Sequence, residues 1–380
     1  MTKKSFKGVA LVGDSQVNNA DHLGPIAAIM GIPLLFLNES DTDLCKDIYP
    51  DIEIGTPPYS EFHAEYMIST YDVLFLSDLW PQNKFENTFG ELQIKYKKPM
   101  RHVFCPHGYS DKSYYLVDCV NEDVPLIYGQ NMLDLLKEHH VDHLLKQHVI
   151  TGNYRYTYYK KHKEHFDKIV QERYLSQFEK KQTTLLYAPT WMDMEEASTF
   201  FDSLEALLDQ LPDEYNMIVK LHPRLEVHSC PELDTAALYH HLIGKYLKKK
   251  NVVFVEYFPL VFPLLAATDI YIGDTTSVGY DFLIFNKPMF FLNKFRRDPK
   301  TDRNAYLFRA GVSVVPEDYK NLYKIINANL KKDQQLYSEV RKSIWDYTFG
   351  PERDFKDIKE DIITALKEKL NAKTQSRKEK

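Results

Sequence analysis

The stretch Ile270-Tyr271-Ile272-Gly273-Asp274-Thr275-Thr276-Ser277-Val278-Gly279-Tyr280-Asp281-Phe282 reads as half of a βα unit. Its apolar β-branched and aromatic start suits a strand buried on both faces, and the glycine that closes it lets the chain turn. A carboxylate and three hydroxyls follow, and then a helix begins. Free amides and hydroxyls at a helix N-terminus bind phosphate through hydrogen bonding and the helix dipole, which makes Asp274, Thr275, Thr276 and Ser277 candidate anion ligands. The same hydroxyls would cap the helix with no ligand present.

Outward from this stretch the pattern repeats. Short apolar runs predict strands at Thr184–Tyr187, Met217–Lys220, Val252–Val255 and Met289–Leu292, and earlier at Gly8–Val12, Leu34–Leu37, Val73–Leu76, His102–Cys105, Leu126–Tyr128 and His148–Ile150. Helical segments fill the gaps, so the fold class is α/β, with parallel sheets covered by helices on both faces. Pro25, Pro189, Pro223, Pro259 and Pro288 are expected at the ends of elements, where a missing amide does least harm. The Tyr- and Lys-rich stretch Tyr154–Lys181 predicts a helix and a linker, after which the alternation restarts. At 380 residues the chain is too long for one ordinary core, so this restart is read as a domain boundary. The expected domains are 1–170 and 182–350, followed by a C-terminal helix and basic tail at 351–380. Helices are expected over Glu317–Leu330, Gln334–Tyr347 and Asp354–Leu370, the last crossing back to the first domain.

Composition narrows the partners. A net charge of -6 argues against nucleic acid. No apolar run approaches the ~20 residues of a membrane span, and the basic N-terminus leads into a strand rather than a signal sequence, so a cytoplasmic location is expected. Cys45, Cys105, Cys119 and Cys230 form no C-x-x-C pair and are expected as small buried hydrophobes. The tail Lys367–Lys380 is expected to fray, leaving room for a weak peripheral contact with an anionic membrane at ~1 kcal/mol per basic residue. Asp41-Thr42-Asp43 formally matches an Asp-x-Asp metal motif but falls in a predicted polar loop, and His139-His140-x-x-His143 reads as a solvated helix face. No metal or other cofactor is expected.

In open parallel sheets, ligands bind beyond the carboxyl ends of the strands. Val103-Phe104-Cys105-Pro106-His107-Gly108 ends a strand on a histidine suited to general-base work, with Gly108 allowing close backbone approach; a turn histidine bonded to backbone would read the same way. Ile218-Val219-Lys220-Leu221-His222-Pro223-Arg224 sets an imidazole beside a guanidinium, a pair suited to diphosphate oxygens. Leu186-Tyr187-Ala188-Pro189-Thr190-Trp191 places Pro189, Thr190 and Trp191 at an equivalent strand end. Gly13-Asp14-Ser15 and Ser77-Asp78 occupy matching positions in the first half and could face an acceptor. Twenty-six tyrosines suit an aromatic site for a polyol or glycan chain.

Taken in order, Tyr187-Ala188-Pro189-Thr190-Trp191, Lys220-Leu221-His222-Pro223-Arg224 and Gly273-Asp274-Thr275-Thr276-Ser277-Val278-Gly279-Tyr280-Asp281-Phe282 resemble the CDP-glycerol glycerophosphotransferase family, which builds teichoic acids and capsule polymers. His107-Gly108 sits where that family carries its own His-Gly, and the likeness runs over roughly residues 100 to 295. Tyr109-Ser110 after it departs from the family's usual Thr-Pro, and Gly-Asp-Thr-Thr from its usual Thr-Asp-Tyr-Ser. The resemblance implies a glycosyltransferase-B fold, two Rossmann-like doubly wound domains facing a central cleft, the first for the acceptor and the second for the nucleotide donor. It further implies transfer of glycerol phosphate or a related polyol phosphate from a CDP donor to a polymer or glycan hydroxyl, with release of CMP. His107 would deprotonate the acceptor, and His222, with Pro189, Thr190, Arg224, Asp274, Thr275, Thr276 and Ser277, would serve the donor. Gly13, Asp14, Ser15 and Gly108 would lie on the acceptor side. A sugar transferase or sugar-nucleotide epimerase of the same fold, or a non-catalytic nucleotide or glycan binder, would use the same anion site and stays open on the residues alone.

Overall fold

A strand with no polar face can be hidden only between two layers of helices, and the apolar runs of this chain are hidden in that way. The computed structural model describes residues 6–13, 16–57, 64–78, 82–112, 115–193, 195–225 and 235–376. Among them, β1 (Gly8–Val12), β2 (Leu34–Phe36), β3 (Ile54–Gly55), β4 (Val73–Leu76), β5 (Arg101–Phe104), β6 (Val124–Ile127) and β7 (Val149–Ile150) form one parallel sheet in the order β3-β2-β1-β4-β5-β6-β7. The second sheet, also parallel, comprises β8 (Thr183–Ala188), β9 (Tyr215–Lys220), β10 (Val252–Val255), β11 (Ile270–Gly273), β12 (Met289–Leu292) and β13 (Val312–Val314), in the order β10-β9-β8-β11-β12-β13. Each order runs outward one way from its first strand and then reverses. The reversal falls between β1 and β4 in one sheet and between β8 and β11 in the other, and it opens a crevice at the carboxyl ends of those strands.

Two compact units carry these sheets. Among the described residues the first comprises 6–108, 115–160 and 347–376, and the second 109–112 and 161–346. Two details differ from the expected division. The stretch expected as a helix and linker holds two helices, Tyr154–Lys161 and Lys163–Arg173; the second buries Phe166 and Val170 and lies on Phe262–Ala266 of the second unit. Residues 109–112, which follow β5 in sequence, also belong to the second unit. The helix Phe355–Ser376 joins the first unit, packing on the helix Ala20–Met30 and on β6 and β7. Ile358, Ile362 and Leu366 form its buried stripe at helical spacing, and Arg101 donates to the Leu366 carbonyl at 2.9 Å. Gly129 makes room for the approach to this helix, because a Cβ there would fall 2.5 Å from the Thr348 carbonyl oxygen.

Other elements shift for local reasons. Pro25 lies inside Ala20–Met30 rather than at an end. The lost amide and ring clash there cost on the order of 3 kcal/mol, offset by burial of Leu23, Ile26 and Ala27. Asp41-Thr42-Asp43 lies in a helix, Glu39–Cys45, capped by the Asn38 side chain, which accepts from the Asp41 amide at 2.7 Å. The expected helices at Glu317–Leu330 and Gln334–Tyr347 are one helix, Leu322–Phe349, with Asp333 buried at the expected break. The tail stays helical to Ser376, and its final four residues lie outside the described residues. Cys45, Cys105 and Cys119 are buried and unbridged, and Cys230 lies outside the described residues. No helix among the described residues is long and apolar enough to cross a membrane.

Candidate active site

In the first unit, β5 delivers His107 just past its carboxyl end. The ring Nδ1 lies 3.0 Å from the Ser77 carbonyl oxygen at the end of β4. A carbonyl can only accept, so Nδ1 carries the hydrogen and the neutral ring keeps its lone pair on Nε2, the atom a general base needs. Tyr115 stacks on the ring at 5.2 Å and donates its hydroxyl to the Gly108 carbonyl. Behind the turn, Tyr128 donates to the Pro106 carbonyl at 2.7 Å, and His22 Nδ1 lies 3.2 Å from the same hydroxyl. With its hydrogen committed to Pro106, Tyr128 must accept from His22. Burial, with the Arg155 charge adding to it, holds His22 well below the ordinary imidazole range, so it is a neutral strut. Gly108 adopts φ +115, a conformation an L side chain resists, and lets the chain leave the turn.

Other acceptor-side expectations meet at the β1/β4 crevice. A Cβ on Gly13 would fall 2.6 Å from Gln16 Oε1 and 3.7 Å from Asp78 Oδ2, so glycine brings Gln16 and Asp78 against the backbone there. Asp14 and Ser15 lie outside the described residues.

The second unit gathers the other expected residues at the ends of β8, β9 and β11. His222 Nδ1 accepts the Arg224 backbone amide at 3.1 Å, which places the hydrogen of the neutral ring on Nε2. The two histidines therefore hold opposite tautomers: His107 offers a lone pair from Nε2, and His222 offers an N–H. Trp191 stacks on His222 at 6.2 Å, and the Arg224 guanidinium covers the same indole at 5.3 Å. Beside His222 a small pocket is lined by Leu221, Pro223, Tyr239, Glu256 and Tyr257.

Asp274 braces two loops. Its carboxylate accepts from the Thr190 amide at 2.9 Å and from both the amide and the hydroxyl of Thr199, at 3.1 and 2.9 Å. Burial pushes this carboxyl up, against the pull of Lys112 and of these hydrogen bonds. It ties the loop after β8, which Pro189 opens, to the loop after β11, the two strands being in register at Gly273 and Ala188. Of the three hydroxyls expected to bind an anion, Thr276 Oγ1 lies 3.5 Å from the Val278 amide, in the capping direction, and Ser277 makes no side-chain cap bond. Thr275 Oγ1 is buried with no hydrogen-bond partner among the described residues. The helix they open, Val278–Phe282, is only five residues long, so the hydroxyls and amides matter more than a macrodipole.

Residues that carried no sequence signal complete the second unit's site. Lys112, in the 109–112 segment, is buried and donates to Thr190 Oγ1 at 2.9 Å and to Asp193 Oδ2 at 2.6 Å. Burial pushes the Asp193 carboxyl up, yet Lys112 and the amides of Ala197 and Glu195 outweigh it and hold the group below the usual range. The segment is anchored by Asp111, which accepts from Tyr280 at 2.5 Å and from the Leu307 amide at 2.9 Å, and by Tyr109, which accepts from Arg303 at 2.9 Å. Among the described residues, no three His, Cys, Asp or Glu side chains group to hold a metal.

Two doubly wound parallel units of this order, with polar loops at the switch points, place the chain among the glycosyltransferase-B-like α/β proteins. The chain belongs to the family described as CDP-glycerol:poly(glycerophosphate) glycerophosphotransferase, which matches residues 139–349 and so takes in His222, Arg224 and Asp274–Ser277. It is 34% identical over 109 residues to the teichoic acid glycerol-phosphate primase of Bacillus subtilis (strain 168), a match covering 28% of this chain and 24% of that protein. The chain thus spans about a quarter of the length of the curated relative it matches. Among solved structures, the wall teichoic acid polymerase TagF shares the fold with a TM-score of 0.62 at 15% identity, over 97% of this chain and 89% of that one. The UDP-GlcNAc 2-epimerase from Neisseria meningitidis bound to UDP-GlcNAc does so at 0.52 and 12% identity, over 95% and 100%.

Proposed function

We propose that this chain transfers glycerol phosphate, or a related polyol phosphate, from a CDP-activated donor to a hydroxyl of a polymer or glycan acceptor and releases CMP. The observation that carries the reading lies within the second unit, where the His222 ring accepts the Arg224 amide and the Arg224 guanidinium covers the neighbouring Trp191, setting an imidazole and a guanidinium side by side at the end of β9. Nε2 of His107 takes the acceptor proton as the hydroxyl oxygen attacks the phosphorus that bears the glycerol. The bond from that phosphorus to the bridging oxygen breaks, and CMP leaves with the electron pair. The N–H of His222 and the Arg224 guanidinium meet the charge that builds on the diphosphate, and Thr275 supplies a hydroxyl that lacks a partner. Little covalent work falls to the protein; holding the groups in place and stabilising charge account for most of the rate, as in phosphoryl transfer generally. Family membership supports CDP-glycerol over a nucleotide sugar. The basic tail and a peripheral contact with the inner face of a membrane remain part of the proposal.

The test separates base from scaffold. Replacing His107 by Asn keeps a donor at the Nδ1 position for the Ser77 carbonyl and removes Nε2. CMP release from CDP-glycerol with a glycerophosphate-primed acceptor should fall by ~10²- to 10⁴-fold in H107N, with donor affinity unchanged. Turnover by H107N at the unmutated rate would remove the base assignment. Release of UDP or UMP from a UDP-sugar, with CDP-glycerol untouched, would replace the reading with that of a sugar-nucleotide enzyme.

A further inference from the structure

Lys112 constrains the direction of a hydrogen bond. An ammonium only donates, so the Thr190 oxygen 2.9 Å away must accept. The Thr190 hydroxyl hydrogen then has to point elsewhere. Its amide is spent on Asp274 and its carbonyl accepts from Ser198, and the hydroxyl hydrogen meets no acceptor among the described residues, although the residue is 5% exposed. One strand across the crevice, Thr275 Oγ1 is buried without a partner as well. Two buried hydroxyls in need of an acceptor therefore flank the switch point of β8 and β11, and leaving such groups unmet is costly. Asp193 cancels the charge of Lys112, so the lysine supplies direction rather than net attraction.

We propose that Lys112 is a positioning residue for donor recognition: it forces the Thr190 hydroxyl to donate to a non-bridging phosphate oxygen of the diphosphate, and acts on the donor only through Thr190. The inference rests on the functional reading above for the identity of the ligand, but its chemistry asks only for an anionic oxygen. A neutral or apolar residue at 112 would free the Thr190 hydroxyl to turn toward other acceptors.

A double-mutant cycle read by calorimetric titration with CDP-glycerol tests it. T190V should weaken binding by on the order of tenfold, the loss of one hydrogen bond to a charged group. Removing the lysine together with its counter-charge, as K112M/D193N, avoids an unpaired buried carboxylate and should weaken binding by a similar factor. Adding T190V to that pair should cost nothing further, and K112R, which still only donates, should bind as the unmutated chain does. Multiplied losses in the triple variant, or unaltered binding by K112M/D193N, would overturn the proposal. If the unmutated protein ignores CDP-glycerol, the functional reading fails instead, and the same cycle run with inorganic pyrophosphate still decides the role of Lys112.

Discussion

At the scale of single residues, chemistry follows from which atom of a ring carries its hydrogen. His107 and His222 are both strand-end histidines, and their sequence contexts suggest different roles without showing which ring nitrogen carries the hydrogen. That assignment comes from one backbone carbonyl at Ser77 and one backbone amide at Arg224. Buried polar partners far apart in sequence leave no periodic trace, which is why Lys112, 78 residues from Thr190, was not legible, whereas the strand-end positions of His107, His222 and Arg224 were. Asp274 was legible as a special position but not as a brace, because its partners sit on two other loops. Asp111 gives a prediction at this scale. Burial lifts its carboxyl to about 6 against the hydrogen bonds it accepts. A raised acid stabilises the folded state fully below the unfolded value near 4 and loses that contribution as pH climbs through about 6. Relative to D111N, the unmutated protein should lose up to about 3 kcal/mol of stability between pH 4 and pH 7, measured by urea unfolding. Curves that run parallel across that range would contradict the assignment.

At the scale of elements, long apolar runs declared themselves and short ones did not. β1, β4, β10, β11 and β12 fall where their runs predict them, since four or five apolar residues flanked by turn signals leave few alternatives. β3 is two half-buried residues and β13 has one exposed residue in three; both lie at sheet edges, where little burial marks the sequence. The long helix Leu322–Phe349 was legible only in halves because its middle carries Lys331-Lys332-Asp333. The reason it continues is a long-reach contact. Arg341, fully buried, forks onto Asp333 at 2.7 and 2.5 Å and donates to the Ala310 carbonyl at 2.9 Å. R341A should destabilise the second unit by about 3–5 kcal/mol by leaving a buried carboxylate unpaired, whereas R341M/D333L should be nearly neutral. Denaturant titration of both variants checks this, and equal losses in the two would contradict it.

At the scale of the whole molecule, the chain builds the same doubly wound plan twice and ends by returning to the first copy. Sequence pattern predicts the duplication, because the strand-helix alternation restarts; it does not predict that residues 109–112 belong to the second unit, a matter of tertiary contact alone. Removing residues 354–380 strips Ile358, Ile362 and Leu366 from the first unit, about 5–9 kcal/mol of burial, which rivals the whole margin of a typical domain. Calorimetry of the shortened chain should show the first unit's transition lost and the second unit's retained; an unchanged first transition would contradict the packing described. The claim on which the functional account turns is that the bond broken lies between the glycerol-bearing phosphorus and the bridging oxygen. Phosphorus NMR of the protein with CDP-glycerol and a primed acceptor reads that bond directly. The account predicts that the two diphosphate resonances give way to a phosphomonoester, CMP, and a phosphodiester on the acceptor in equal amounts; growth of a CDP signal with the diphosphate intact would contradict it.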